Sequence, residues 1–140
     1  MERAVLDTDT FSYITGQRHP AIIAAARQYE RGFRYFTITA ITVSEVLAGY
    51  SQVQDFAAIA EFLRRLDGME VLPLEAGEAI MAGRILGDLR RTGNQIGPLG
   101  PFNAAIALEN NLPLVTNNTK DYRRIVALGY PLILQNWRDT

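Results

Sequence analysis

The chain has 140 residues, of which 48% are hydrophobic and 21% are charged, and its formal net charge is −1. This length suits one domain with its own core, and this composition excludes a disordered chain. The net charge excludes a protein that coats nucleic acid by bulk electrostatic attraction. Because the chain has no cysteine, disulfides and thiolate metal sites are excluded, and only oxygen atoms or the single His19 could hold a metal.

Short apolar runs alternate with amphipathic stretches along the whole chain. Strands are predicted at residues 3–6, 35–39, 69–72, 112–116 and 131–134, and helices at 21–29, 45–50, 56–66, 75–91 and about 102–110. This alternation predicts a single α/β domain over residues 1–140, with a mostly parallel sheet and helices on both faces. No apolar run is long enough to cross a membrane, and no signal-peptide core precedes Asp7 and Asp9, so we expect a cytoplasmic protein.

Polar side chains follow three of the predicted strands. Asp7 and Asp9 come directly after the first strand, Glu45 follows the second strand in the first turn of a helix, and Asn118 and Asp121 follow the strand at 112–116. Functional groups in parallel sheets gather beyond the carboxyl ends of the strands. Clustered carboxylates need a cation to offset their charge, and oxygen ligands suit Mg²⁺ or Mn²⁺. The pattern therefore predicts metal-dependent hydrolysis of a phosphodiester.

Each acid also has a structural explanation. Asp7 and Asp9 could cap the helix that follows the first strand, Glu45 could oppose a helix dipole, and Asp121 could cap a short helix. Taken singly, these explanations are favoured. Taken jointly, acids at one edge of the sheet favour a functional site for Asp7 and Glu45, while Asp9 remains open.

Four segments resemble, in order and spacing, successive blocks of one family. They are LDTDTFSYI, ITAITVSEVLAGY, LRRTGNQIGP and ALENNLPLVTNNTKDYRRI, and the chain closes on QNW. Together they resemble the VapC branch of PIN-domain proteins over essentially the whole chain. The resemblance implies a three-layer α/β/α fold, Mg²⁺- or Mn²⁺-dependent endoribonuclease activity, a homodimer, and inhibition by a small cognate antitoxin.

The resemblance also implies roles for individual residues. Asp7 matches the first metal-binding aspartate and Glu45 matches a characteristic glutamate. Asn118 and Asp121 lie where relatives place groups that help to hold the metal or water. The implied catalytic residues are Asp7, Glu45, Asn118 and Asp121, and the implied metal ligands are Asp7, Glu45 and Asp121.

The third block departs from the family pattern. That pattern is Gly-Pro, one residue, Asp, and two more residues before an Ile-Ala-Ala helix. Alignment on Gly97 and Pro98 and alignment on Ala104 and Ala105 both place Gly100 where the aspartate belongs, and Asn103 where an apolar core residue belongs. Glycine supplies no ligand, so we expect a weakened or inactive ribonuclease, with a buried Asn103 amide that lacks partners.

Two other functions remain open at this point. The PIN fold could persist as a module that binds RNA or antitoxin after losing catalysis. The run AVLDTDT also fits the start of haloacid-dehalogenase-type phosphatases, in which Asp7 would be the nucleophile. Those enzymes need a downstream lysine and a later acid pair, and the single lysine, Lys120, comes too late for that pattern. His19 precedes Pro20 and is expected in a surface loop.

Overall fold

The computed structural model describes residues 1–139. In chain order its elements are β1 Val5–Leu6, α1 Thr8–Thr15, α2 Pro20–Gly32, β2 Thr37–Thr39, α3 Ala40–Gln52, α4 Phe56–Leu66, β3 Glu70–Leu72, α5 Ala76–Arg91, α6 Gly100–Glu109, β4 Leu114–Val115, α7 Thr119–Ala127 and β5 Leu134–Gln135. Among these described residues, no helix is both long and apolar enough to cross a membrane.

The five strands form one sheet in the order β3-β2-β1-β4-β5, and every neighbouring pair is parallel. Val5 in the central strand is level with Thr37 on one side and with Leu114 on the other. The predicted parallel sheet is confirmed.

Successive residues of a strand point to opposite faces of the sheet, and this alternation produces two cores. Leu6 and Val115 pack with side chains of α1 to α4, in a core that contains most of the buried aromatic residues. Val5 and Leu114 pack with side chains of α5, α6 and α7, in a core dominated by alanine, leucine and isoleucine. Helices therefore lie on both faces of the sheet, and the predicted three-layer α/β/α arrangement is confirmed.

Three helix assignments differ from the sequence prediction in ways that matter for the site. The sequence predicts helices that Asp7 or Asp9 and Asp121 could cap but gives them no bounds, and in the structure these helices, α1 and α7, have eight and nine residues. The helix α3 begins at Ala40 because the Thr39 side chain accepts a hydrogen bond from the Thr42 backbone N–H and so caps the helix. Glu45 therefore lies in the second turn of α3, and the expectation that it lies in the first turn is wrong.

Candidate functional site

A cleft of about 370 Å³ opens where β1, β2 and β4 end. Its walls are formed by Asp7, Thr8, Asp9, Glu45, Ile96, Gly97, Pro98, Leu99, Gly100, Asn103, Asn118, Asp121 and Tyr122. The structure thus brings together on one surface the four residues implied as catalytic, which come from three separate segments. No lysine or arginine is among these lining residues, so the cleft as described is acidic.

Asp7 is held by hydrogen bonds from three different elements. Its Oδ1 accepts from the Asn103 side-chain Nδ2 at 2.8 Å and from the Tyr122 hydroxyl at 3.1 Å, and its Oδ2 accepts from the Thr116 hydroxyl at 2.9 Å. Asp7 is only 7% exposed. Although it occupies the position before α1, its side chain makes no capping hydrogen bond. The capping explanation for Asp7 is therefore wrong.

Asn103 is the residue whose placement differs most from the sequence prediction. Its side chain is 2% exposed and has two partners, because Nδ2 donates to Asp7 and Oδ1 accepts from the Thr39 hydroxyl at 2.5 Å. The expectation of an unpartnered amide that faces an apolar core is thus wrong. The orientation of the amide follows from the acceptor-only character of a carboxylate, which requires the NH₂ end to face Asp7.

The register of the third block must be corrected accordingly. The chain contains two Gly-Pro pairs three residues apart, and the second pair, Gly100 and Pro101, begins α6. Alignment on this pair places Asn103 where the family pattern has its aspartate, and Ile106, which is fully buried, at the isoleucine. The departure from the pattern is therefore an amide in place of a carboxylate at residue 103. Alignment on the first Gly-Pro pair, which assigned the missing acid to Gly100, was wrong.

Gly100 lies at the edge of the same cleft, where a side chain has little room. A Cβ at this position would meet the Ile96 Cδ1 at 2.9 Å and the Tyr122 hydroxyl at 3.5 Å. The Ile96 contact is with the end of a flexible side chain, which could move aside. A substitution at Gly100 would therefore crowd the cleft without taking the place that Asn103 occupies beside Asp7.

Asp9 lies in the first turn of α1 and ties this helix to the end of β4. Its Oδ2 accepts from the Asn117 backbone N–H at 3.0 Å, and its Oδ1 accepts from the Thr10 backbone N–H at 2.6 Å. The pKa of Asp9 is raised to about 6, chiefly by burial and then by the nearby charge of Asp7, while the two backbone hydrogen bonds lower it in part. Asp9 is thus partly protonated near neutral pH.

Tyr122, which follows the polar segment after β4, is a protonated donor to Asp7. Burial raises the pKa of Tyr122 well above its usual range, and the adjacent Asp7 carboxylate adds to this shift. The phenol therefore keeps its proton at all physiological pH values. Thr116, Thr39 and Tyr122 were not predicted as site residues. Thr116 and Tyr122 each adjoin a polar residue that was considered, but no pattern distinguished their hydroxyls from ordinary core groups.

Glu45 is held more loosely than Asp7. Its Oε1 accepts from the Thr8 hydroxyl at 2.7 Å, and that hydroxyl also contacts the Thr42 hydroxyl at 2.9 Å. Glu45 is half-buried, and together with Thr8 it also lines a neighbouring hollow of about 410 Å³ between α1 and α3. Its carboxylate is consequently open to a ligand from two sides.

Asn118 and Asp121 lie at the rim of the cleft. The Asn118 Nδ2 donates to the Asp121 carboxylate at 3.0 Å, and Arg124 lies 3.9 Å from the same carboxylate. The Asn118 backbone N–H donates to the Thr116 hydroxyl at 3.0 Å. Asn118 is thus linked to the Asp7 cluster through Thr116, and also through its backbone carbonyl, which accepts from the Tyr122 backbone N–H at 3.4 Å. His19 precedes α2 and is not among the residues that line the cleft.

Comparison with known proteins agrees with this architecture. The family model for the PIN domain matches residues 4–128. The chain belongs to the PIN domain family. This assignment replaces the phosphatase alternative that the run AVLDTDT had left open.

Relatives of this PIN domain include named ribonucleases. The tRNA(fMet)-specific endonuclease VapC of Shigella flexneri is 30% identical over 132 residues, which is 91% of this chain and 96% of that protein. Ribonuclease VapC2 of Haemophilus influenzae is 28% identical over 141 residues, 98% of this chain and 99% of that protein. The DNA-bound VapBC structure from Salmonella typhimurium superposes with a TM-score of 0.80, covers 98% of this chain and 99% of its own, and shares 24% identity.

The PIN family implies a divalent cation in such a cleft, and the side chains present here do not fit one. Within residues 1–139, no three His, Cys, Asp or Glu side chains are grouped so that they could hold a metal ion. Both oxygens of Asp7 already accept hydrogen bonds from neutral donors. Of the predicted ligands Asp7, Glu45 and Asp121, the last lies at the rim of the cleft, where its carboxylate accepts a hydrogen bond from Asn118.

Proposed function

We propose that this chain is a ribonuclease toxin of the VapC type, with weakened activity in this sequence. The observation that carries the proposal is the meeting of Asp7, Asp9 and Glu45 in one open cleft of a PIN domain. The 30% identity to a named endonuclease along nearly the whole chain supports the same activity. RNA is therefore the substrate class, and tRNA(fMet) is the first RNA to test.

The geometry supports distinct roles for the two catalytic acids. Glu45 is open on the cleft and has a single hydroxyl partner within the described residues, so it is the group suited to accept a proton from water beside a phosphodiester. Asp7 is enclosed and fixes the positions of Thr116, Tyr122 and Asn103 around it. We assign Asn118 and Asp121 to the rim, where they would contact RNA that enters the cleft.

The weakened activity follows from the amide at Asn103. Losing a partner that only orients a metal ligand costs about 10–100-fold, and losing a ligand costs more. We expect RNA cleavage by this protein to be at least about a hundredfold slower than by the variant Asn103→Asp. The corrected register moves this expectation from Gly100 to Asn103. The metal requirement itself remains a prediction.

The experiment compares cleavage of tRNA(fMet) and total RNA by four purified proteins, each with Mg²⁺, Mn²⁺ or EDTA. They are the unmodified chain, Asn103→Asp, Gly100→Asp, and Asn103→Asp combined with Asp7→Ala. Asn103→Asp should cleave fastest, and the added Asp7→Ala change should abolish its cleavage. The ribonuclease proposal fails if Asn103→Asp cuts neither RNA, and the weakened form is refuted if the unmodified chain cuts as fast as Asn103→Asp.

We also propose that the chain pairs with a small antitoxin and forms a homodimer in the cytoplasm. The similar structures include VapBC complexes, which supports a protein partner for this fold. An exposed apolar side chain on α5, Ile80 at 67% exposure, is consistent with a covered face in a dimer. Light scattering at tens of micromolar should give twice the chain mass of 15.6 kDa. A monomer mass alone would refute the homodimer.

A second candidate function is a binding module without cleavage. The hydrogen bond between Asn103 and Asp7 favours it, because the acid that a nuclease needs is already occupied. Such a module should bind antitoxin or RNA with an affinity that does not differ between the unmodified chain and Asn103→Asp. Cleavage by the unmodified chain above the Asp7→Ala background would decide against this second candidate.

A further inference from the structure

The arrangement around Asp7 raises the question of what neutralises this buried carboxylate. A buried charge is costly unless it is paired or hydrogen-bonded, and no lysine or arginine lines the cleft in the described part of the chain. Asp7 instead receives three side-chain hydrogen bonds, from Asn103, Tyr122 and Thr116. Three neutral donors therefore stabilise the Asp7 carboxylate, as a bound cation would in an acidic metal site.

Asn103 is locked in this role from its other side. Its Oδ1 accepts from the Thr39 hydroxyl, and the Thr39 side chain also accepts from the Thr42 backbone N–H at 3.1 Å. Rotating the amide by half a turn would place its carbonyl against the Asp7 carboxylate and its NH₂ against Thr39. Such a flip would place the Asn103 carbonyl oxygen against the Asp7 carboxylate oxygen, both of which are acceptors, and would lose the hydrogen bond from Asn103 to Asp7. The donor end of Asn103 thus stays on Asp7.

A divalent ion that binds the Asp7 Oδ1 would have to displace this donor. Mg²⁺ binds oxygens at about 2.0–2.1 Å in near-octahedral geometry and gives up its waters reluctantly. The Asn103 Nδ2 lies 2.8 Å from the Asp7 Oδ1, and Tyr122 donates to the same oxygen. Because Oδ1 already accepts two hydrogen bonds, it has little capacity left to bind a metal ion. Asp7 is only 7% exposed, and a turn of its carboxylate would break the hydrogen bonds from Asn103, Tyr122 and Thr116.

We propose that Asn103 replaces a divalent cation as the partner of Asp7, so that this chain assembles its acidic cleft without metal. The site is then a closed polar cluster that is complete in the folded protein. The inference goes beyond the proposed ribonuclease function, because it concerns metal binding and stability and holds whether or not RNA is cut.

The first test needs no substitution. Mn²⁺ is titrated into the unmodified chain, bound ion is counted by electron paramagnetic resonance, and the melting temperature is followed in parallel. We expect no binding at micromolar to submillimolar Mn²⁺ and a melting shift of less than about 1 °C. One Mn²⁺ bound per chain with a micromolar Kd would overturn the proposal.

The second test exchanges the amide for a carboxylate. Asn103→Asp faces Asp7 with a like charge, so without metal its melting temperature should fall, and with Mn²⁺ it should recover. At a Mn²⁺ concentration of 100 times Kd, the metal should raise the melting temperature of this variant by about 5–10 °C. An Asn103→Asp protein that binds no Mn²⁺ would overturn the proposal, because the amide would then not be what excludes the ion.

Asn118→Asp is the matched control. It makes the same chemical change on the wall of the same cleft, but Asn118 contacts Asp121 rather than Asp7. We expect Mn²⁺ to shift its melting temperature by no more than it shifts that of the unmodified chain. A shift equal to that of Asn103→Asp would show that added negative charge alone recruits the ion, which would also overturn the specific role of Asn103.

Discussion

Asp7 and Glu45 line the same cleft, yet the fold holds them in opposite ways. Asp7 is enclosed, with side-chain donors from α6, α7 and the end of β4, whereas Glu45 is half-buried and accepts one side-chain hydrogen bond, from Thr8, within the described residues. A side chain with several buried partners supports the fold, and one that remains open can meet a ligand. The cleft thus has a fixed wall, formed by Asp7 with its donors Asn103, Tyr122 and Thr116, and a free wall, formed by Glu45 with Thr8. We expect substitutions at the fixed wall to change stability most, and substitutions at the free wall to change activity most.

The largest expected effect is at the fixed wall. Asp7→Ala leaves the donors of Asn103, Thr116 and Tyr122 without their acceptor, and each unsatisfied buried group costs about 1–3 kcal/mol. Water that enters from the cleft recovers part of this loss. We expect the free energy of unfolding to fall by about 4 kcal/mol in urea denaturation. Equal losses for Asp7→Ala and Glu45→Ala would contradict the distinction between the walls.

A smaller loss is expected when the donor is removed and the acid is kept. Asn103→Leu has similar volume but leaves Asp7 with two side-chain donors and Thr39 without its acceptor. We expect destabilisation by about 2–3 kcal/mol, measured by urea denaturation. Unlike Asn103→Asp, this variant should gain nothing from Mn²⁺. A Leu variant as stable as the unmodified chain would show that the amide contributes nothing to holding Asp7.

The pH dependence of stability tests Asp9, the acid that lines the cleft beside Asp7. Because the pKa of Asp9 is about 6 in the folded chain and 3.8 in a free side chain, the folded state binds more protons between these values. The free energy of unfolding should therefore fall as pH rises from about 4 to 6, by about 2 kcal/mol at most. Asp9→Asn keeps the acceptor oxygen for Asn117 and should flatten this slope. An unchanged slope in Asp9→Asn would assign the dependence to other groups.

The parallel sheet and the shared edge of the acids were predictable from the sequence, because apolar runs mark buried strands and polar residues follow them directly. The register at α6 was misassigned because two Gly-Pro pairs lie three residues apart and the first was chosen. The sequence favours the second pair, which places Ile106 at the isoleucine of the pattern, but only packing shows that Asn103 faces Asp7. The roles of Thr39 and Thr116 depend on contacts between distant segments, for which a single sequence gives no signal.

The smallest effect on stability is expected at the free wall, where the effect on function should be greatest. Glu45→Gln keeps the shape of the side chain and an oxygen for the Thr8 hydroxyl, so the free energy of unfolding should change by less than about 0.5 kcal/mol. The amide cannot accept a proton, so this change placed in the Asn103→Asp protein should abolish RNA cleavage. Urea denaturation and a tRNA cleavage assay measure both quantities on the Asn103→Asp protein with and without Glu45→Gln. Cleavage retained within about threefold would remove Glu45 from the proposed mechanism, and a large loss of stability would show that Glu45 belongs to the fixed wall.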